Sequence, residues 1–264
     1  MNEPFDLLAE SYDADFTNTS IGQLQRGQVW KYIDHLKFEN KEPRMLELNF
    51  GTGEDALYFS RMGFKVIATD VSEKMVRIAA IKAIPRNDVI KVLKCNLLDI
   101  GNAFPRMGFD LVFSNFGCLN CIAPQKMKSL SGDISKLLKP NGRFICVVMP
   151  RFCIWETLYF LSKFKFKKSF RRWTKNEVEI KFNQSSFPVW YYSPMSFAGF
   201  FMTGFKVVSV KPIGFFIPPS YMKGFFTKHN GMLSFLGKME RKIENISFLA
   251  GFSDHFLIDL VKAK

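Results

Sequence analysis

The stretch Met45–Asp70, MLELNFGTGEDALYFSRMGFKVIATD, restricts what this chain can fold into more than any other part of it. Met45 to Leu48 is a short apolar run with one acid, Glu47, and it stops at Asn49-Phe50-Gly51-Thr52-Gly53, where the chain must turn sharply. Gly51 and Gly53 lack a Cβ, so the backbone there takes positive φ at no steric cost and can approach a ligand closely. Ala56, Leu57, Phe59 and Ser60 continue at helical spacing until Gly63, and a second strand from Lys65 closes on Asp70. Strand, glycine turn, helix, strand and acid make the first half of an open α/β sheet, which binds ligands at the carboxyl ends of its strands.

The turn also selects among ligands. A dinucleotide site needs G-x-G-x-x-G with a pyrophosphate on the helix N-terminus, but here Glu54 and Asp55 occupy the first helical turn and would repel one. A cationic or zwitterionic ligand with an adenosine ribose suits the site better: Asp70 accepts both ribose hydroxyls while the glycines let the backbone meet an amino-acid end. These residues resemble the class I S-adenosylmethionine-dependent methyltransferases, particularly the UbiE-like (type 11) small-molecule group. Glu47-Leu48-Asn49-Phe50-Gly51-Thr52-Gly53 is similar to that family's E/D-x-G-x-G-x-G loop, with Asn49 in place of the first glycine. Asn is the non-glycine residue most tolerant of positive φ.

The resemblance implies S-adenosyl-L-methionine as cofactor and S-adenosyl-L-homocysteine as product, held by Glu47, Asn49, Gly51 and Gly53 at the turn and by Asp70 and Val71 after the second strand. It implies further that Tyr12, paired with Phe16 in a Y-D-x-x-F element, lies across the cofactor, and that Arg26 meets the methionine carboxylate. Asn96 then accepts from the adenine amino group beside Leu97, and Asn115 sits near the sulfonium.

The rest of the chain reads as an alternation of helices and strands. Ser72 is a candidate N-cap for a helix ending before Pro85; further strands are expected at Val89–Leu93, Phe109–Asn115 and Arg143–Met149, with a helix at Leu130–Leu138 and a turn at Lys139–Gly142. Phe205–Val210 and Ser253–Lys262 are expected to close the sheet as an antiparallel pair. The fold class expected is α/β: a Rossmann-like seven-stranded methyltransferase sheet, mostly parallel with an antiparallel last strand, plus helical and aromatic lid insertions. The chain, 1–264, is read as one domain, with a helical cover at 1–40, a cofactor-binding core at 45–150, and lids at 151–187 and 213–251.

Phenylalanine is over-represented, with 30 residues, and net charge is +13. The basic residues concentrate in residues 162–181, where eight lysines and arginines alternate with Phe164, Phe166, Phe170 and Trp173. A contact with a membrane surface or an anionic lipid competes there with a solvated flank; nucleic acid is not expected, because no recognised nucleic-acid module is visible. The cysteines are five, an odd number that favours reduced thiols. Cys118 and Cys121 form a C-x-x-C without a second pair, so no metal is expected. No secretory signal and no run of about 20 apolar residues appears, and a cytoplasmic location is expected, peripheral to a membrane if the basic segment binds one.

An acceptor that is protonated at working pH needs a base. His229, Tyr191 and Tyr192 are the catalytic candidates, and Phe116, Trp155, Glu156 and Trp190 the residues expected at the substrate lid. The leading reading is methyl transfer to an apolar or aromatic small molecule, including a lipid-like one. A non-catalytic adenosyl-ligand protein on the same fold and a macromolecule methyltransferase are the alternatives.

Overall fold

The computed structural model describes residues 4–87, 89–105, 107–182 and 185–263. Its strands in chain order are β1 (Arg44–Leu48), β2 (Lys65–Asp70), β3 (Ile90–Lys94), β4 (Phe109–Ser114), β5 (Leu138–Val148), β6 (Val178–Phe182), β7 (Ser185–Val189), β8 (Phe205–Ile213) and β9 (His255–Lys262). β1 pairs in parallel with β2 on one side and β4 on the other; β2 continues to β3 and β4 to β5, also in parallel. β9 enters antiparallel between β5 and β8, giving one seven-stranded sheet in the order β3-β2-β1-β4-β5-β9-β8. This is the sheet the sequence predicts. Strand order reverses between β1 and β4, and a crevice opens above the carboxyl ends of those two strands.

The pleat sorts side chains into two apolar layers. Leu46 and Leu48 face one layer with Val112, Phe144, Cys146 and Ile258; Met45 faces the other with Leu111, Phe113, Ile145 and Leu257. Helix starts follow their caps. The Ser72 hydroxyl accepts from the Met75 N–H at 3.1 Å and opens the helix Glu73–Ala83; Thr19 does the same for Ser20–Asp34 through Gly22.

Several boundaries differ from expectation. The helix expected at Leu130 begins at Pro124, because proline at the first helical position is pre-set for the helix. Asn141 supplies the positive φ of the turn before the apolar run of β5, whereas Gly142 is required for close approach: a Cβ there would stand 2.9 Å from the Lys139 carbonyl oxygen. Pro188 lies within β7, and the helix that precedes β8 is Pro194–Gly199. The basic segment holds a short helix, Phe166–Ser169, followed by β6, which pairs antiparallel with β7.

Two buried carboxylates bind the insertions to the sheet. Glu240, on the helix Asn230–Ile243, is fully buried and accepts from the backbone N–H of Gly214, Phe215, Phe216 and Ile217 at 2.9, 3.0, 2.5 and 3.1 Å. Glu156, on the helix Ile154–Ser162, takes two bonds from Arg171 and one from Arg172, and Arg172 continues to the side chain and carbonyl of Asp254 at the foot of β9. Burial alone would raise the Glu156 carboxyl; the two guanidiniums outweigh it and hold the group below its ordinary range.

Replacing Glu240 by Ala strands four buried N–H groups. The expected loss is about 3 kcal/mol or more of folding free energy, read as a lower urea midpoint with unchanged slope; Glu240→Gln, which keeps one acceptor oxygen, loses less.

Candidate functional site

A cavity of about 230 Å³ lies above β1, β2 and β4. One end is polar. Asn49 and Gly51 come from the turn after β1, Asp70 and Val71 from the tip of β2, and Asn115 from the end of β4. Asn49 has φ +53°, the left-handed value that the missing family glycine would supply, and Gly51 follows at φ +60°. Asp70 is buried, with one oxygen accepting from the Gly51 N–H at 3.0 Å and the other from the Ser72 N–H at 2.9 Å. Each oxygen keeps a lone pair for a further donor. Burial raises the Asp70 carboxyl to about 6, against the lowering effect of those backbone donors.

The other end is apolar, walled by Phe5, Phe116, Met149, Phe187 and Val189, with Cys118 and Cys121 beside them. Phe116 stands at φ +46°, a conformation bulky residues rarely hold and one that concentrates at functional sites. Phe5 touches Phe187 with ring centroids 5.0 Å apart, so the N-terminal segment and the β6–β7 hairpin meet over the opening. Tyr12 completes the roof; a Cβ on Gly51 would come within 3.7 Å of its ring. The roof is fastened by polar contacts: the Thr52 hydroxyl donates to Asp13 at 2.6 Å, Lys82 pairs with the same carboxylate at 2.6 Å, and the Ser72 hydroxyl donates to Asp6 at 2.5 Å.

Behind the turn lies a group that sequence reasoning did not single out for this role. Asp55 is buried and accepts from Arg26 at 2.5 Å, from the Trp30 indole at 2.6 Å and from the Asn115 amide at 3.1 Å. It therefore joins the N-terminal helix, the turn after β1 and the end of β4. Its charge is matched by Arg26, so of the two first-turn acids only Glu54 stands without that compensation against a phosphate. Arg26 does not line the cavity: its guanidinium is held on Asp55 and lies 5.3 Å from the Phe116 ring centroid and 5.6 Å from that of Phe16, backing the cavity wall.

Glu47 sits beneath the turn, fully buried. Burial and the nearby Asp55 charge push its carboxyl well above the usual range, although Arg26 pulls the other way. Its Oε2 and the Oδ1 of Asn49 are buried acceptors without a hydrogen-bond partner among the described residues. Asn49 lines the cavity, so a ligand bringing positively charged N–H donors to this turn satisfies its Oδ1, and a ribose satisfies Asp70; Glu47, like Arg26, lies behind the lining. The acceptors at the polar end thus fit an adenosyl amino acid carrying an ammonium group.

Six of the expected cofactor residues, Tyr12, Asn49, Gly51, Asp70, Val71 and Asn115, line this cavity together. Gly53 does not; it turns the chain at φ +84° and passes so near the next helix that a Cβ would stand 2.9 Å from that of Ala79. Asn96 is exposed, and its Oδ1 accepts from the Leu98 N–H, capping a short turn, while the Leu97 side chain is buried in the core.

The catalytic candidates fall elsewhere. His229 is exposed, its Nδ1 2.8 Å from the Phe225 carbonyl oxygen and its ring stacked on Phe225. Tyr191 is buried under the Arg172 guanidinium, and the Tyr192 hydroxyl donates to the Ile122 carbonyl at 2.7 Å. Of the lid residues only Phe116 reaches the cavity. Glu156 is consumed by its arginines, Trp155 donates to the Phe215 carbonyl within a satellite apolar cluster, and Trp190 is pinned to Asn120 through its backbone. Phe5, Met75, Gly117, Met149, Phe187 and Val189 line the cavity without having been singled out; each is an apolar residue or glycine whose role depends on long-range placement. Among the described residues no cluster of His, Cys, Asp and Glu suits a metal.

Asp55→Ala leaves Arg26 buried without its partner and is expected to cost about 3–5 kcal/mol of stability. Adding Arg26→Leu should recover part of that loss in chemical denaturation.

Residues 45–142 match the methyltransferase domain family. A demethylmenaquinone methyltransferase of Symbiobacterium thermophilum is 31% identical over 153 residues, which cover 56% of this chain and 58% of that protein; the chain spans little more than half the length of this relative. Among solved structures, a Listeria monocytogenes protein described as an S-adenosylmethionine-dependent methyltransferase superposes with a TM-score of 0.66 at 18% identity, over 92% of this chain and 100% of that one. The geranyl diphosphate C-methyltransferase of Streptomyces coelicolor A3(2), solved with S-adenosyl-L-homocysteine, superposes with a TM-score of 0.58 at 14% identity, over 91% and 80%. With the strand order, the turn after β1 and the acid closing β2, these likenesses show a methyltransferase domain at residues 45–142 carried on the Rossmann-like methyltransferase fold.

Proposed function

We propose that the protein transfers a methyl group from S-adenosyl-L-methionine to an apolar or aromatic small molecule. The observation that carries this reading is a single cavity whose acceptor-rich end, Asp70, Asn49 and Gly51, runs directly into an apolar end formed by Phe5, Phe116, Met149, Phe187 and Val189. When bound, the sulfonium supplies an already activated methyl group, whose S–CH₃ bond breaks as the acceptor bonds to carbon and the electron pair returns to sulfur. The work left to the chain is positioning and exclusion of water. Asp70 orients the ribose, Asn49 receives the ammonium, and the aromatic wall selects a flat or greasy acceptor.

The titratable groups lining the cavity are Tyr12, Asp70, Cys118 and Cys121. Burial raises the phenol and both thiols, leaving them protonated and poor bases near neutrality. Asp70 is engaged by the sugar. The acceptor suited to such a site loses its proton readily by itself, as an acidic phenol or an enolisable carbon acid does, with the proton passing to solvent. The demethylmenaquinone methyltransferase to which the chain is similar supports an aromatic acceptor.

Labelled S-adenosyl-L-methionine incubated with the protein and a metabolite extract should yield a labelled, organic-extractable product; tight cofactor binding without any transfer would instead favour the binding-protein reading. Asp70→Ala should weaken adenosyl-ligand binding by roughly 1.5–3 kcal/mol, the range for charge-assisted hydrogen bonds. Ribose hydroxyls favour the ionised carboxylate, so affinity should rise with pH through about 6 and level off above it. A ligand requiring the ionised form gains roughly tenfold between pH 5 and pH 7, and Asp70→Asn should flatten that rise in calorimetric titrations.

A further inference from the structure

The helix Ile154–Ser162 ends in a left-handed cap: the Phe164 N–H bonds to the Leu161 carbonyl and the Lys165 N–H to the Phe160 carbonyl, both at 2.9 Å. The residue that takes positive φ in this motif is usually glycine. Here it is Phe164, at φ +55°, with its side chain 81% exposed. A strained backbone position is being used to hold an aromatic ring out of the fold, where it adds nothing to the core.

The ring is not isolated. Phe166, Phe170 and Trp173 are each about half exposed, and Phe248, on the other insertion, is 74% exposed. Ring contacts of 5.0–5.3 Å run from Phe170 to Trp173, Phe152, Phe252 and Phe248, joining the two insertions in one aromatic ridge. Lys163, Lys165, Lys167 and Lys168 are exposed among them, and none has an ion-pair partner among the described residues. Arg171 and Arg172, by contrast, are occupied by Glu156 and Asp254. Unpaired cations beside projecting aromatic rings match a surface that is negatively charged outside and apolar beneath. A single-stranded nucleic acid would need a basic groove tracking its backbone over several nucleotides, whereas these four lysines fall within six residues at one corner.

We propose that this corner, with Phe164 and Phe166 at its tip and Lys163, Lys165, Lys167 and Lys168 around it, docks the protein on anionic lipid bilayers. The proposal is independent of the methyl-transfer reading, because docking is measured without turnover.

The test is flotation of the full chain with vesicles of phosphatidylglycerol and phosphatidylcholine, against vesicles of phosphatidylcholine alone. Binding to the anionic vesicles only, weakening as salt is raised, is expected. Lys167→Glu/Lys168→Glu should weaken it by roughly fivefold or more per lysine. Phe164→Gly should weaken it about tenfold while leaving the thermal midpoint unchanged or higher, since glycine relieves the left-handed position. That combination separates docking from a role in folding. Absence of binding to anionic vesicles, equal binding to neutral ones, or a Phe164→Gly variant that floats like the parent overturns the proposal. So does tighter binding of a single-stranded oligonucleotide that the same substitutions abolish.

Discussion

The buried carboxylate of Asp55 is the constraint on which the site depends. A negative charge with no access to water must be met by donors from the protein, and its three donors come from two segments far apart in sequence: Arg26 and Trp30 from the helix Ser20–Asp34, and Asn115 from the end of β4. Satisfying one group therefore fixes where the N-terminal helix lies over the sheet and how the chain leaves β4. Arg26 in turn backs Phe116, so the same charge sets the position of the apolar wall. The local turn supplies the ligand-facing backbone, while this network supplies its surroundings.

The positions of the sheet strands along the chain were legible because each depends on short-range signals. The apolar runs at Met45–Leu48 and Phe144–Val148, the Ser72 cap and the glycine turn all act over a few residues. The polar end of the cavity was legible for the same reason: Asn49, Gly51, Asp70 and Val71 are placed by the first βαβ unit alone. What was not legible depends on tertiary contact. Arg26 has the same appearance in sequence whether it faces a ligand or an aspartate, and Asn96 caps a turn with the oxygen that seemed available for adenine. Glu156, Tyr191 and Tyr192 resembled site residues because polar groups among aromatics often are; here they close hydrogen bonds or pack beneath arginines in the interior.

The insertions show a second division of labour. Their inner faces are committed to the fold through Glu240, Glu156 and Arg172, groups that cannot be removed without stranding buried donors or charges. The β6–β7 hairpin reaches the cavity through Phe187 and Val189, and the aromatic ridge faces outward. Phenylalanine enrichment thus has three separate causes in one chain: core layers at Phe59 and Phe113, cavity wall at Phe116 and Phe187, and outer surface at Phe164 and Phe166. Composition alone could not have divided them.

The contacts of Asp13 with Thr52 and Lys82, and of Asp6 with Ser72, hold the first turns of the chain shut across the cavity mouth. Motions of such segments run over microseconds to milliseconds and set the pace of many enzymes whose chemistry is fast. On the methyl-transfer reading, this amino-terminal latch stands on the route by which a nucleoside would enter and leave.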